Sequence, residues 1–192
     1  MGIKKILARY QLGQLRRRVQ PFDFNVPADL LKCRHVLICL PNGLRELTLV
    51  KQFLPTITYL FGKADVTLLA MPGLQVTDIY PRKGFQLVTP SVDQLGWAGV
   101  PKKGFLSMLQ GYNIDTVLDL TLESSVFTST VLLSLPKAIR IGRGNHLGAP
   151  YYNLEIKTKF LRDERNIYRS LLEILGEIMN RRVQPLGAGA AN

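Results

Sequence analysis

Apolar positions along this chain change their period several times, and each change predicts an element. Between residues 3 and 19, Ile3, Ile6, Leu7, Tyr10, Leu15 and Val19 recur at helical spacing and make one apolar stripe. Basic residues occupy most of the remaining circumference. Arg16-Arg17-Arg18 closes that helix, where cations suit the negative end of its dipole. Pro21 and Pro27 then bracket a connector, since proline continues a helix poorly.

From His35 the helical period is lost. Val36-Leu37-Ile38-Cys39-Leu40 is a continuous apolar run ending at Pro41-Asn42-Gly43, the pattern of a strand buried on both faces. Glu46 to Leu60 returns to helical spacing through Leu47, Val50, Leu54, Ile57 and Leu60, with Pro55 expected to kink it. Val66–Ala70 reads as the next strand, Phe85–Thr89 as a third and Asp115–Leu120 as a fourth. Ala138–Gly142 is a further strand and Asn153–Lys157 a last short one. Helices are expected over Phe105–Leu109, Ser124–Leu135 and Asp163–Met179, the last with Ile167, Leu171, Ile174, Leu175 and Ile178 on one side.

Strands that alternate with helices predict an α/β fold. The expectation is a single Rossmann-like domain with a mainly parallel sheet and helices on both faces, preceded by a basic amphipathic helix. Residues 1–34 form that helix and connector, 35–180 the domain, and 181–192 a disordered tail rich in Gly and Ala. No internal repeat is visible.

Composition narrows the picture. The chain has 192 residues, 46% apolar and 20% charged, enough for a core without disulfides or metal. Its two cysteines, Cys33 and Cys39, fit neither a disulfide framework nor a zinc spacing and read as buried free thiols. No run approaches the ~18 apolar residues of a membrane span, and no secretory signal is visible. A cytoplasmic protein is expected, either soluble or peripheral on the inner face of the membrane. The net charge of +11 is uneven, with +6 held within residues 1–35. Lys4, Lys5, Arg9, Arg16, Arg17 and Arg18 are therefore candidates for contact with an anionic surface. A solvated helix face is the plainer reading of the same charges.

In parallel α/β sheets, ligands bind outside the carboxyl ends of the strands. That rule selects three loops: residues 42–46, 121–125 and 143–148. Asn42, Gly43, Arg45, Ser124, Ser125 and Arg143 are the candidate ligand-binding residues. Asp119 and Glu123, four residues apart at a strand end, are paired carboxylates available for acid–base work, though they belong to no complete catalytic set. Asp119 also reads as a structural cap of its strand, and Ser124 or Ser125 as a helix N-cap. The run Gly142-Arg143-Gly144-Asn145-His146-Leu147-Gly148 departs from a dinucleotide fingerprint, because its third glycine comes one residue late and no helix follows. His35 and His146 lack neighbours at ligand spacing, so no metal is expected, and no cofactor. Trp97 reads as a packing residue. No run of basic and aromatic residues supports an RNA-binding module.

Taken in order, VLICLPNGLRELTLVKQFLP, DVTLLAMPG, YNIDTVLDL, a Ser-rich helix, LPKAIRIGRG, YYNLEI and IYRSLLEILG resemble the N-terminal half of glycosyltransferase family 9. That family includes the ADP-heptose:lipopolysaccharide heptosyltransferases. The resemblance runs from about Val36 to Gly176. It implies one half of a two-domain GT-B enzyme, the half that receives a lipid-linked sugar acceptor. The donor half is expected to lie outside this chain. The family's first loop carries Gly-Asp, whose Asp is the base. Gly43 matches the Gly, Leu44 stands in place of the Asp, and Glu46 is a displaced substitute. The resemblance therefore implies a stand-alone, degenerate relative acting in cell-envelope or lipopolysaccharide glycan assembly. Alternatives are an active half-enzyme with a separate glycosyltransferase subunit, a nucleic-acid-binding protein and a protein-interaction scaffold.

Overall fold

The computed structural model describes residues 3–20, 22–62, 64–71, 76–80, 84–96, 99–181 and 183. The side chains of Ile3, Lys4, Lys5, Leu7, Thr77 and Asp78 lie outside that description, as do Trp97 and the tail from 184. The elements in order are α1 (Ile3–Arg18), α2 (Ala28–Leu31), β1 (His35–Cys39), α3 (Leu44–Phe61), β2 (Asp65–Leu69), α4 (Val76–Ile79) and β3 (Gln86–Val88). A 3-10 turn (Val92–Gln94) leads to α5 (Lys103–Gly111), β4 (Thr116–Asp119), α6 (Val126–Ser134), β5 (Ile139–Arg143), β6 (Leu154–Ile156) and α7 (Glu164–Ile178).

All six strands form one parallel sheet in the order β3-β2-β1-β4-β5-β6. This is the Rossmann order, which reverses direction between β1 and β4. Every strand expected from the apolar runs is present. The run Val36–Leu40 is apolar throughout because both faces of β1 are covered. Val36, Ile38 and Leu40 join the core under α3 and α7, while Leu37 and Cys39 join the core under α5 and α6. Both cysteines are free. Cys39 is buried, but Cys33 is only half-buried, because it sits in the connector before β1 and not inside the sheet.

At the opposite edge from the loops of interest, Asp115 accepts hydrogen bonds from the backbone N–H groups of Arg34 (2.7 Å) and His35 (3.0 Å). That clip fixes the start of β1 against β4. The last turn of α3 is closed by Arg181, whose Nη1 donates to the carbonyls of Tyr59 (2.7 Å) and Leu60 (2.6 Å). These are carbonyls that a helix end would otherwise leave unpaired.

The first helix docks on the domain, packing against α6. Its inward side is Ala8, Leu12, Leu15 and Val19, all buried or half-buried. The stripe expected from the sequence contained Ile6 and Tyr10, which instead point outward and are 59% and 65% exposed. The reason lies in α6. Phe127, Val131 and Leu132 face the sheet and join its core, yet Thr128, Ser129, Thr130, Leu133 and Ser134 are buried as well. A helix buried all round needs a second cover. Small residues on that side admit a close partner, and Ala8 at the contact is 2% exposed. The hydroxyls there cost little to bury, because Thr130 and Ser134 donate to the carbonyls of Val126 and Val131 at 2.7 Å each. No described helix is long and apolar enough to cross a membrane.

Candidate functional site

The reversal of strand order places a crevice between the loops that follow β1 and β4, the usual ligand position in such sheets. In those two loops Leu40, Pro41, Leu120 and Thr121 are buried, and Asn42, Leu44, Arg45, Glu123 and Ser124 are exposed. Two contacts brace the crevice against α7. Tyr168 Oη donates to the Leu120 carbonyl at 3.1 Å, and Arg45 pairs with Glu164, Nε to Oε2, at 3.0 Å. The latter is a charge contact without hydrogen-bond alignment. Burial of Tyr168, reinforced by the charge of Glu46 and Glu164, pushes its phenol well above the ordinary range. It stays protonated and remains a donor.

Gly43 is the N-cap of α3, and Glu46 folds back over it. A Cβ on Gly43 would overlap the Glu46 carboxylate. The acid thus sits at the N-terminal end of α3, where the helix dipole favours its charge. Leu44 is 66% exposed, an unburied apolar side chain at the start of α3. Ser125 spends its hydroxyl as the N-cap of α6, accepting from Thr128 N–H at 3.0 Å, while Ser124 stays exposed.

Asp119, on the other side of the crevice, is 1% exposed and fully engaged. Its Oδ1 accepts from Thr121 N–H (2.9 Å) and Thr121 Oγ1–H (2.7 Å), and its Oδ2 accepts from Tyr152 Oη–H at 2.6 Å. Burial raises its pKa, and these three bonds oppose the rise. An acid with both oxygens occupied beneath the surface shapes the crevice and does not reach into it. The Tyr152 ring lies over Gly142, where a Cβ would overlap it. His146 stacks on the same ring at 6.4 Å and 24°. Burial holds the His146 pKa below the usual value, Asp119 pulls the other way, and Arg143 adds to the lowering.

Sequence reasoning missed two members of this region. Tyr152 is brought to Asp119 only by the short crossover from β5 to β6. Arg140 is 2% exposed and, among the described residues, pairs with no acid. It donates to the carbonyls of Tyr151 (2.9 Å), Leu135 (2.9 Å) and Pro150 (3.1 Å), and burial lowers its pKa. It holds the loop that carries Tyr152. An arginine inside the apolar run AIRIG was the available signal.

The basic candidates on α1 separate by position. Arg16 lies over the Tyr151 ring at 5.7 Å, so it is spent on docking. Arg9 and Arg17 are exposed, and Arg18 lines a groove beside α1. The side chains of Lys4 and Lys5 are outside the described residues. No group of three or more His, Cys, Asp or Glu among the described residues could hold a metal.

A six-stranded parallel sheet in this order, with its crevice at the β1–β4 reversal, defines a Rossmann-like α/β domain of the kind found in GT-B glycosyltransferases. The solved structures it resembles are of that class. It overlaps the Escherichia coli heptosyltransferase WaaC with ADP at a TM-score of 0.54 and 16% identity, over 81% of this chain and 50% of that one. It overlaps the same enzyme with ADP-2-deoxy-2-fluoro heptose at 0.54 and 15% identity, over 81% and 51%. A family 9 glycosyl transferase from Veillonella parvula gives 0.54 and 17%, over 76% and 42%. The likeness is one of fold, and the chain spans about half the length of these proteins. No protein-family profile matches the sequence, and no curated protein does.

Proposed function

We propose that this domain is the acceptor-binding half of a glycosyl-transfer unit of the family 9 kind, acting on cell-envelope glycan at the cytoplasmic membrane surface. The observation that supports it most is the overlap of four-fifths of the chain with half of a heptosyltransferase. The loops at the β1–β4 crevice would receive the sugar acceptor. Asn42, Arg45 and Ser124 are exposed in those loops, with Arg143 partly exposed beyond β5. Exposed Arg9 and Arg17 on α1 would meet anionic headgroups, each contributing about 1 kcal/mol near such a surface.

The test is co-sedimentation at physiological salt with phosphatidylglycerol–phosphatidylcholine vesicles, with and without incorporated lipopolysaccharide. Lipopolysaccharide is expected to raise the bound fraction severalfold. The pair Arg45→Gln with Ser124→Ala is expected to remove that increment and leave the lipid term. No increment from lipopolysaccharide in the native protein would refute the acceptor role.

A second reading has one observation in its favour. The Glu46 carboxylate lies in the first loop, two residues from the position where family enzymes carry their base. A separate donor-domain chain would then complete an active enzyme. Sugar transfer restored by a copurifying partner and lost in Glu46→Gln would support it. Transfer unaffected by that change would exclude Glu46 as the base.

A further inference from the structure

Beside the docked first helix runs a groove of about 430 Å³, between α1 and the segment that leads into α5. That volume suits a small ligand. Leu15, Val100 and Leu106 make its apolar floor, and Arg18, Lys102 and Lys103 bring three cations to its rim. Among the described residues, no carboxylate lies within 4.0 Å of any of the three. Asp93 feels Lys102 only weakly. Its carboxyl is held low first by Ser91, with Lys102 the smallest contributor.

Four other basic residues of the domain are already engaged. Arg140 is saturated by carbonyls, Arg16 is docked on Tyr151, Arg45 is paired with Glu164 and Arg181 closes α3. The groove cations have no such employment. Like charges that line one groove repel, and an anion bound among them relieves that repulsion. The start of α5 adds to the same field. Its N-cap, Lys102, offers no capping side chain, and its first turn holds no acid.

The apolar floor narrows the chemistry further. A free inorganic anion gains nothing from Leu15, Val100 and Leu106, and a nucleic-acid backbone would leave them uncovered. An amphiphile with a phosphate and a hydrocarbon part satisfies rim and floor together. The outer side of α1 also shows exposed Ile6 and Tyr10 beside Arg9 and Arg17. That is the composition of a surface seated at a lipid interface.

We propose that the groove between α1 and α5 binds one anionic membrane phospholipid. Arg18, Lys102 and Lys103 contact its phosphate, and Leu15, Val100 and Leu106 cover its glycerol and first acyl carbons. This deepens the membrane-surface part of the proposed function and rests on that part alone.

The test is titration of the full chain with dihexanoylphosphatidylglycerol below its micelle concentration, read by calorimetry. Dihexanoylphosphatidylcholine and inorganic phosphate serve as comparators, and both are expected to bind at least tenfold more weakly. Replacing Arg18, Lys102 and Lys103 together by Gln should weaken binding of the anionic lipid at least tenfold. Gln14→Trp, which fills the groove without changing charge, should do the same, and thermal melts confirm that both variants fold. Lys51→Gln, exposed on α3 across the sheet from the groove, should leave this binding intact. Equal binding of phosphate and the anionic lipid would overturn the proposal, as would an unaffected triple variant. Anionic vesicles that bind while the monomeric lipid does not would sink the groove and leave the membrane-surface reading standing.

Discussion

Helices α6 and α7 cover opposite faces of one sheet, but they stand differently to solvent. Toward the sheet side, α7 buries Ile167, Tyr168, Leu171, Leu172 and Leu175, while Arg165 and Glu177 remain exposed. It is an ordinary surface helix. By contrast, α6 is buried from Phe127 to Ser134, because α1 lies over its outer side. One face of the domain has two layers and the other has three. The basic segment that looked like an appendage is therefore part of the packing. Its outer charges remain free for a partner, and its inner residues do not.

The largest expected effect breaks this asymmetry directly. Removing residues 1–20 would expose the outer side of α6 and is expected to cost roughly 4 kcal/mol, which corresponds to about 10 °C in melting temperature for a chain of this size. Ala8→Asp is the point version. It places an unpaired carboxylate at a contact only 2% exposed and is expected to cost about 3 kcal/mol. Denaturant unfolding checks both. If α1 were loosely attached, neither change would move the midpoint. The same result bears on membrane experiments. Deleting α1 cannot isolate its charges, because it also uncovers α6. Arg9→Gln with Arg17→Gln can.

A smaller effect separates the two sides of the crevice. Near α3 the polar groups are exposed and their partners few. Near β4 and β5 they are buried and saturated. Tyr152→Phe removes one of three donors to Asp119. The sign of the pH dependence follows from the raised pKa of Asp119. Its folded value lies above the ordinary 3.8, so its contribution is fully present below about pH 4 and is lost as pH rises through the folded value. His146 works in the opposite sense. Its folded value lies below 6.5, so its contribution is present above that pH and is lost as pH falls through the folded value. Losing the tyrosine donor raises Asp119 further. Tyr152→Phe should therefore cost about 2 kcal/mol at pH 7 and clearly less at pH 4.5, by urea unfolding. Asp119→Asn keeps a hydrogen-bonding partner for both Thr121 and Tyr152, and added to Tyr152→Phe it should flatten that difference. An equal cost at both pH values would mean that the carboxylate does not carry the effect.

What the sequence made legible follows the same division. The strands could be read because a parallel sheet covered on both sides demands continuous apolar runs, as in VLICL and TVLDL. The three loops could be read because the carboxyl edge of such a sheet is fixed by topology. The inner side of α1 could not be read with certainty, since two stripes compete there. Leu15 and Val19 of the expected stripe do face inward, but Ala8 and Leu12 take the places expected for Ile6 and Tyr10, because small Ala8 matches the close approach that α6 permits. The bond between Asp119 and Tyr152 was hidden, because two residues 33 apart meet only once β5 and β6 are paired. Arg140 is visible in the sequence as a charge in an apolar run, a position that demands partners, but the carbonyls that satisfy it come from loops whose approach only the fold reveals.

The smallest expected effect on stability concerns the residue where the resemblance and the site disagree. Leu44 opens α3 and is 66% exposed, so its side chain contributes little to the core. Leu44→Asp would put a carboxylate into the first turn of an 18-residue helix, where the dipole favours it. Glu46 already lies at that end, and the two acids would repel, which offsets part of the gain. The net change is expected to stay within about 0.5 kcal/mol, measured by urea unfolding. The change is informative because it is so mild. It creates here the Gly-Asp pair that the resemblance to family 9 enzymes leads one to expect in this loop, on a scaffold otherwise unaltered. Sugar transfer in the presence of a donor-domain partner, seen with Leu44→Asp and not with the native chain, would show that this single position separates a binding half from a working one. Transfer by neither protein would place the difference elsewhere in the crevice.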